Sequence, residues 1–328
     1  MSHVADRLEN AGDTAGPAGG RADRVAGGLI GLLVGDALGV PYEFQTPSRI
    51  PPADAIEFDP PPGYARAHAG VPPGTYSDDG AQALCLLASL LECGRLNPDD
   101  LGRRLVDWFE TGYMAVDGGV FDVGVQTGLA LRALRRGVPA VDAGPAEERS
   151  NGNGSLMRVL PLALWHQGPD DELVSDACTQ SVVTHGHVRS QLCCALYCLW
   201  VRRTLEGAAD PWASASATLR EILADDPDGL LELETSVRPD DPVAVTGRGY
   251  VVDSLHSAHW ATAAGDYETT VKAAVALGHD TDTTAAVAGG LAGVRYGLSG
   301  IPRRWADALR GRELYGPLLE RLLERAGG

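Results

Sequence analysis

Two short polar stretches stand out for what their atoms could hold. "GTYSDDGAQ" (74–82) sets Ser77, Asp78 and Asp79 side by side, and "GHDTDTT" (278–284) sets Asp280, Asp282 and Thr283 ahead of an alanine- and glycine-rich run. Carboxylates and hydroxyls together form an all-oxygen donor set, which hard divalent cations such as Mg²⁺ or Mn²⁺ select. Each stretch also has a plainer reading. Asp79 followed by Gln82 fits a helix capping box, which leaves Asp78 unexplained. Either Asp280 or Asp282 can cap the helix of "TTAAVAGGLAGVRYG", and only one cap is needed. A second carboxylate buried in so apolar a setting is costly unless it is paired or coordinated. The helix dipole opposes a cation at this end, so the carboxylates must outweigh it, while the exposed amides would welcome phosphate.

Three further groups are candidates. In "NGNGS" (151–155), Gly152 and Gly154 permit positive φ and close backbone approach to a ligand, and the asparagines offer hydrogen bonds. A turn ahead of a helix explains the same residues. "VVTHGH" (182–187) sets two histidines two positions apart, able either to donate to a phosphate or to serve the fold. Glu43 is one of two charged residues between Val25 and Arg49. It is a candidate catalytic acid, with an exposed loop glutamate as the bland alternative.

The elements that must position these groups read as helices. From Asp23 a helical pattern carries glycines at 27, 31, 35 and 39, a spacing that lays a bare groove along one face for another helix backbone. It ends at "GVPYEF", where Pro41 forces a turn. The proline-rich stretch 45–76 lacks periodicity and reads as a long functional loop. Helical signals then follow at 79–93, 98–111, 122–136, 154–167, 170–183, 187–206, 214–224, 249–264, 267–277, 283–297 and 302–324. The acidic stretch 225–242 reads as a surface excursion. Residues 1–22 hold few large apolar groups, and a disordered tail is expected there. The remainder, 23–328, reads as one all-α domain with no internal repeat.

Composition narrows the partners. With 27 Lys+Arg against 44 Asp+Glu the net charge is −17, so nucleic acid and anionic membranes would be repelled. The six cysteines fall in apolar helical patterns without metal spacing, as expected of reduced thiols in a cytoplasmic protein. The apolar run from Val25 to Leu38 is shorter than the roughly 20 residues of a membrane span. Acidic residues before it disfavour a signal peptide.

Taken in order, the motifs "GLIGLLVGDALGVPYEF", "GTYSDDGAQALCLLASLL", "FDVGVQTGLAL", "NGNGSLMRVLPLAL", "VTHGH", "GYVVDSLHSAHWA" and "GHDTDTTAAVAGGLAGVRYG" make the chain resemble the ADP-ribosylglycohydrolase family from about residue 23 to 300. The resemblance implies an orthogonal helical bundle around a cleft holding two Mg²⁺ or Mn²⁺ ions. Their ligands would be Ser77, Asp78, Asp79, Asp280, Asp282 and Thr283, with Asp282 bridging both ions. Glu43 aligns with a catalytic acidic residue, and Asp122 with an aspartate that acts as base or holds the acceptor in the nitrogen-linked branch. Glu43 and the metal-linked Asp79 are the candidates for proton handling. Asn151, Gly152, Asn153, Gly154, Ser155 and Met157 fall in the loop that binds the diphosphate and distal ribose, with His185 near it.

The implied reaction is hydrolysis of the bond between C1 of ADP-ribose and an acceptor atom. The partner would be an ADP-ribosylated protein or a small ADP-ribosyl compound, and the protein is expected to be a monomer. The alternatives are an inactive relative that binds ADP-ribose or plays a structural role, and an all-α interaction protein without metals. Two departures stand out: the usual T-D-D-T is here Ser77-Asp78-Asp79-Gly80, and His279 stands where glycine is common.

Overall fold

The computed structural model describes residues 19–241 and 244–327. Most of the expected disordered tail lies outside this range, and Arg21 and Ala22 already belong to the first helix. The helices, in chain order, are α1 (Arg21–Gly39), α2 (Asp78–Cys93), α3 (Pro98–Thr111), α4 (Val125–Arg135), α5 (Leu160–Trp165), α6 (Asp170–Val182) and α7 (Val188–Glu206). They continue with α8 (Pro211–Ile222), α9 (Pro227–Glu232), α10 (Val251–Ala261), α11 (Tyr267–Ala276), α12 (Thr281–Tyr296), α13 (Arg303–Ala308) and α14 (Arg312–Gly327). The fold is all-α. Among the described residues the strand-like pairing is an isolated bridge between Gly152 and Tyr250. The six cysteines are free thiols.

The glycine groove of α1 is filled by α12. A methyl group added at Gly27, Gly31 or Gly35 would overlap the carbonyl oxygens of Gly293, Gly289 and Ala285 respectively, and one at Gly39 would overlap Asp282. The pairs run in opposite directions along the chain, so the helices are antiparallel and touch backbone to backbone. The contact brings the C-terminal end of α1, which continues through a 3₁₀ turn (Val40–Tyr42) to Glu43, against the start of α12 and its aspartates. Thr281 Oγ1 donates to Gly39 O at 2.8 Å, and Tyr267 OH donates to Gly31 O at 2.8 Å. Gly35→Ala should therefore overpack this contact and cost about 1–3 kcal/mol of stability. Denaturant unfolding checks it, and an unchanged midpoint would mean that the helices can part freely.

With the turn after it, the apolar segment runs from Arg21 to Tyr42, longer than its sequence hydropathy indicated, and its most apolar window is wholly buried in the fold. Besides shifts of up to three residues, such as the starts at Val125 and Pro211, three stretches differ from the sequence reading. Residues 154–158 form tight turns, and α5 starts only at Leu160 because Pro161 favours a first-turn position and disfavours helix before it. The stretch 302–324 breaks at Gly311, whose φ of 80° no helix accepts, while Arg310 N donates to Gly74 O at 2.9 Å. Within 225–242, Pro227–Glu232 is helical and Leu233–Val237 is a π-helical turn.

The proline-rich loop is fastened at both ends and in the middle. Tyr42 OH donates to Glu57 O at 2.8 Å, and the Glu57 carboxylate receives Arg304 at 3.0 Å and the Trp305 indole at 2.5 Å.

Candidate active site

Both acidic stretches lie where helices begin, and the two beginnings meet. The cap of α2 is Ser77, whose Oγ accepts Asp79 N–H at 3.3 Å, so Asp79 is not itself the cap. Gln82 spends its amide on Asp78 Oδ2 at 2.9 Å instead of closing a capping box. At α12, Asp280 occupies the cap position but its side chain makes no capping bond. Its Oδ2 instead accepts from Asn153 Nδ2 at 2.9 Å, and that Nδ2 also donates to Ser254 at 2.9 Å. Asp282 Oδ1 accepts Thr283 N–H at 2.9 Å, and Thr283 Oγ1 donates to Asp79 Oδ2 at 3.3 Å, joining the two stretches. Capping thus accounts for none of these four carboxylates.

The turn before α2 is held by a residue outside the sequence-derived set. Asp36, buried on α1, accepts Ser77 N–H at 2.8 Å and Gly80 N–H at 2.7 Å. Burial pushes its carboxyl up to about 7 despite those donors. In the sequence it is a lone acid inside an apolar helix, with nothing nearby to name its partners.

The cleft above has a volume of ≈ 650 Å³, and its lining includes Glu43, Asp78, Asp122, Asp280 and Thr283 together with Gly152, Asn153, Gly154, Met157 and His185. Ser77, Asp79 and Asp282 lie beneath its floor, fully or almost fully buried. Asn151 and Ser155 lie behind the loop: Asn151 Oδ1 accepts from Ser190 at 2.9 Å, and Ser155 Oγ accepts from Ser181 at 2.9 Å. Neither Gly152 nor Gly154 adopts the positive φ expected of them. They are glycines because a side chain would strike Gln126 and His185, each within 3 Å. Of the paired histidines, His187 caps α7 through Nδ1, and His185 is buried against the cleft with Nδ1 2.8 Å from Thr184 Oγ1. Burial, and then the Arg158 charge, hold His185 down to about 3, so it is neutral at ordinary pH.

Six carboxylates converge here. Burial and then their mutual repulsion raise Glu43, to about 10, and Asp78, Asp79 and Asp282, while burial leads in raising Asp122 and Asp280. Among the described residues no lysine or arginine forms an ion pair with any of them, and His68 beside Glu43 is the one basic side chain that does. Asp79 Oδ1 and Asp282 Oδ2 are buried with no hydrogen-bond partner. Glu43, Asp280 and Asp282 bring one oxygen each within 4.8 Å of one another. Orphaned buried oxygens in an all-oxygen set, with no organic cation to balance them, fit a divalent metal ion.

The chain as a whole has known relatives. The ADP-ribosylglycohydrolase family model matches residues 17–328. The chain belongs to the ADP-ribosylglycohydrolase family. It is 30% identical to the ADP-ribosylarginine hydrolase Tri1 of Pseudomonas putida (strain GB-1), over 93% of this chain and 79% of that one. It is 29% identical to the ADP-ribosyl-[dinitrogen reductase] glycohydrolase of Rhodospirillum rubrum, over 88% and 90%. A solved structure described as an ADP-ribosylglycohydrolase-related protein complex superposes with a TM-score of 0.74 at 33% identity, covering 93% of this chain and 99% of that one. By fold and sequence the chain thus falls in a family of glycosidic-bond hydrolases, and the two named relatives are an ADP-ribosylarginine hydrolase and an ADP-ribosyl-[dinitrogen reductase] glycohydrolase.

Both departures from the ADP-ribosylglycohydrolase pattern have structural reasons. A side chain at Gly80 would meet Tyr76 at 2.7 Å and Leu33 at 2.8 Å, so these apolar groups take the space of the missing threonine. His279 has a φ of 62°, a left-handed conformation that glycine adopts without penalty. Its backbone does the work: His279 N–H donates to Gln45 O at 2.6 Å and Phe44 N–H donates to His279 O at 2.7 Å, tying Glu43's neighbour to Asp280's.

Proposed function

We propose that this protein is a divalent-cation-dependent hydrolase that removes ADP-ribose from arginine side chains. The observation that carries the reading is the pair of carboxylates Glu43 and Asp122, within reach of one another at one wall of a cleft whose floor is the two joined aspartate stretches. A guanidinium leaving group is planar and cationic and suits two carboxylates beside aromatic rings. Phe44, on the cleft lining, supplies such a ring, and the named relatives include hydrolases of ADP-ribosylarginine.

Ser77, Asp78, Asp79, Asp280, Asp282 and Thr283 would hold two Mg²⁺ or Mn²⁺ ions. When bound, such ions stabilise developing charge and orient ribose hydroxyls and water. Asp79, wholly buried under the floor, serves as a ligand and not as the proton carrier. Glu43 lines the cleft and in its ionised form would take the proton of the attacking water, and a divalent charge held nearby would favour that form. Asp122 holds the departing nitrogen. Asn153 fixes Asp280, and the backbone of Gly152 to Gly154, close against His185, receives the diphosphate. Arg248 on the cleft wall offers it a positive charge.

The test is release of free ADP-ribose from a panel of acceptors linked through arginine, asparagine, serine, a nucleic-acid end or a small molecule, with and without Mg²⁺ or Mn²⁺. Arginine-linked substrate is expected to turn over fastest. Preference for a serine linkage would overturn the acceptor assignment and leave the hydrolase reading standing.

A further inference from the structure

Glu43 is held by a histidine that lies in none of the family-like motifs. His68 Nε2 lies 2.6 Å from Glu43 Oε2, and it comes from the proline-rich loop, 25 positions away in the chain. The loop segment around it is tied to the Glu43 segment at several points. Ala67 N–H donates to Pro41 O at 3.0 Å, Gln45 Nε2 donates to Ala65 O at 3.4 Å, and the Tyr42 and Tyr64 rings pack at 5.2 Å. The imidazole is wedged between Phe44 and Phe121, with ring centroids at 5.7 and 5.0 Å. His68 also adopts a φ of 47°, a conformation a non-glycine residue keeps only where its surroundings impose it.

A glutamate side chain has three rotatable bonds, and Glu43 is ringed by carboxylates that repel it. We propose that His68 is a positioning residue for the hydrolytic reaction: its Nε2–H donates to Oε2, the two phenylalanine rings pack on the imidazole, and the rotation of the cleft-lining carboxylate is thereby restricted. The long loop between α1 and α2 delivers this donor. The inference rests on Glu43 being the proton-accepting group of the proposed function.

The test compares His68→Ala and His68→Gln with the wild type on ADP-ribosylated arginine, together with Mn²⁺ binding by calorimetry. Loss of orientation alone costs about 10- to 100-fold, so His68→Ala should lower kcat by that factor with KM within about twofold and Mn²⁺ stoichiometry unchanged. His68→Gln, which carries an amide donor at similar reach, should recover most of the loss. A wild-type kcat in His68→Ala, or no rescue by His68→Gln, would overturn the proposal, and so would loss of a bound Mn²⁺ ion, which would make His68 a ligand. The contact itself is read without turnover. The imidazole nitrogen resonances of His68, assigned by their absence in His68→Gln, should shift in Glu43→Gln, and unshifted resonances would overturn the proposal even in an active enzyme. A wild type that releases no ADP-ribose from any acceptor would sink the functional reading, while the resonance comparison would still decide whether His68 holds Glu43.

Discussion

Asp282→Asn is expected to abolish ADP-ribose release and, in cation-free protein, to raise stability. The Asp282 side chain is wholly buried, one of its oxygens has no partner, and Glu43, Asp79, Asp122 and Asp280 all push its carboxyl toward the protonated form after burial itself. A carboxyl raised in the native state binds more protons than it does unfolded. Its stability contribution is therefore fully present below the unfolded value and is lost as pH rises through the native one. At neutral pH the cation-free protein carries that penalty, and asparagine removes it. The cation response should run the other way. At about 100 times its Kd a cation adds about 2.7 kcal/mol to the wild type, roughly 5 °C in a chain of this size. Most of that shift should vanish in the variant. Thermal unfolding with and without Mn²⁺ reads both effects. An equal shift in the two proteins would show that Asp282 holds no metal.

The second large effect belongs to Glu43→Gln. General-base catalysis contributes about 10²- to 10⁴-fold, and the amide cannot accept the proton, so kcat should fall by a factor in that range. Glu43 is kept outside the ligand set in this account. Mn²⁺ binding by calorimetry should therefore persist, in contrast to Asp282→Asn. If Glu43→Gln instead lost a cation, the cluster of Glu43, Asp280 and Asp282 would be a ligand set and the proton would go elsewhere.

How much of this was legible in the chain follows from the range of the interactions. The glycines at 27, 31, 35 and 39 announced a close helix contact, because their spacing is a property of one helix. That α12 fills the groove was not readable, since its partner glycines at 289 and 293 lie more than 250 positions away. Asking which carboxylates capping leaves over singles out Asp78 and one of Asp280 and Asp282, with Asp79 and the other assigned to caps. The structure goes further, since Ser77 does the capping at α2 and the Asp280 side chain caps nothing.

Residues whose role depends on a distant partner were missed. Asp36 serves amides 41 and 44 positions on, and His68 serves Glu43 from a loop with no periodicity to place it. Ser155 and Asn151 were grouped with the cleft because sequence proximity to Asn153 cannot tell which side of a loop a side chain takes. The glycines of the same loop were expected for their φ and are there for lack of space. In helix boundaries the errors fell at Pro161 and Gly311, where a local backbone rule overrides hydrophobic periodicity.

The central claim is that the two aspartate stretches, joined under one cleft, make ADP-ribose release depend on a divalent cation. It is tested most directly by assaying chelator-stripped protein on ADP-ribosylated arginine before and after Mg²⁺ or Mn²⁺ is restored. The stripped protein should release no free ADP-ribose, and adding the ion should restore release. Full turnover in the continued presence of chelator would contradict it.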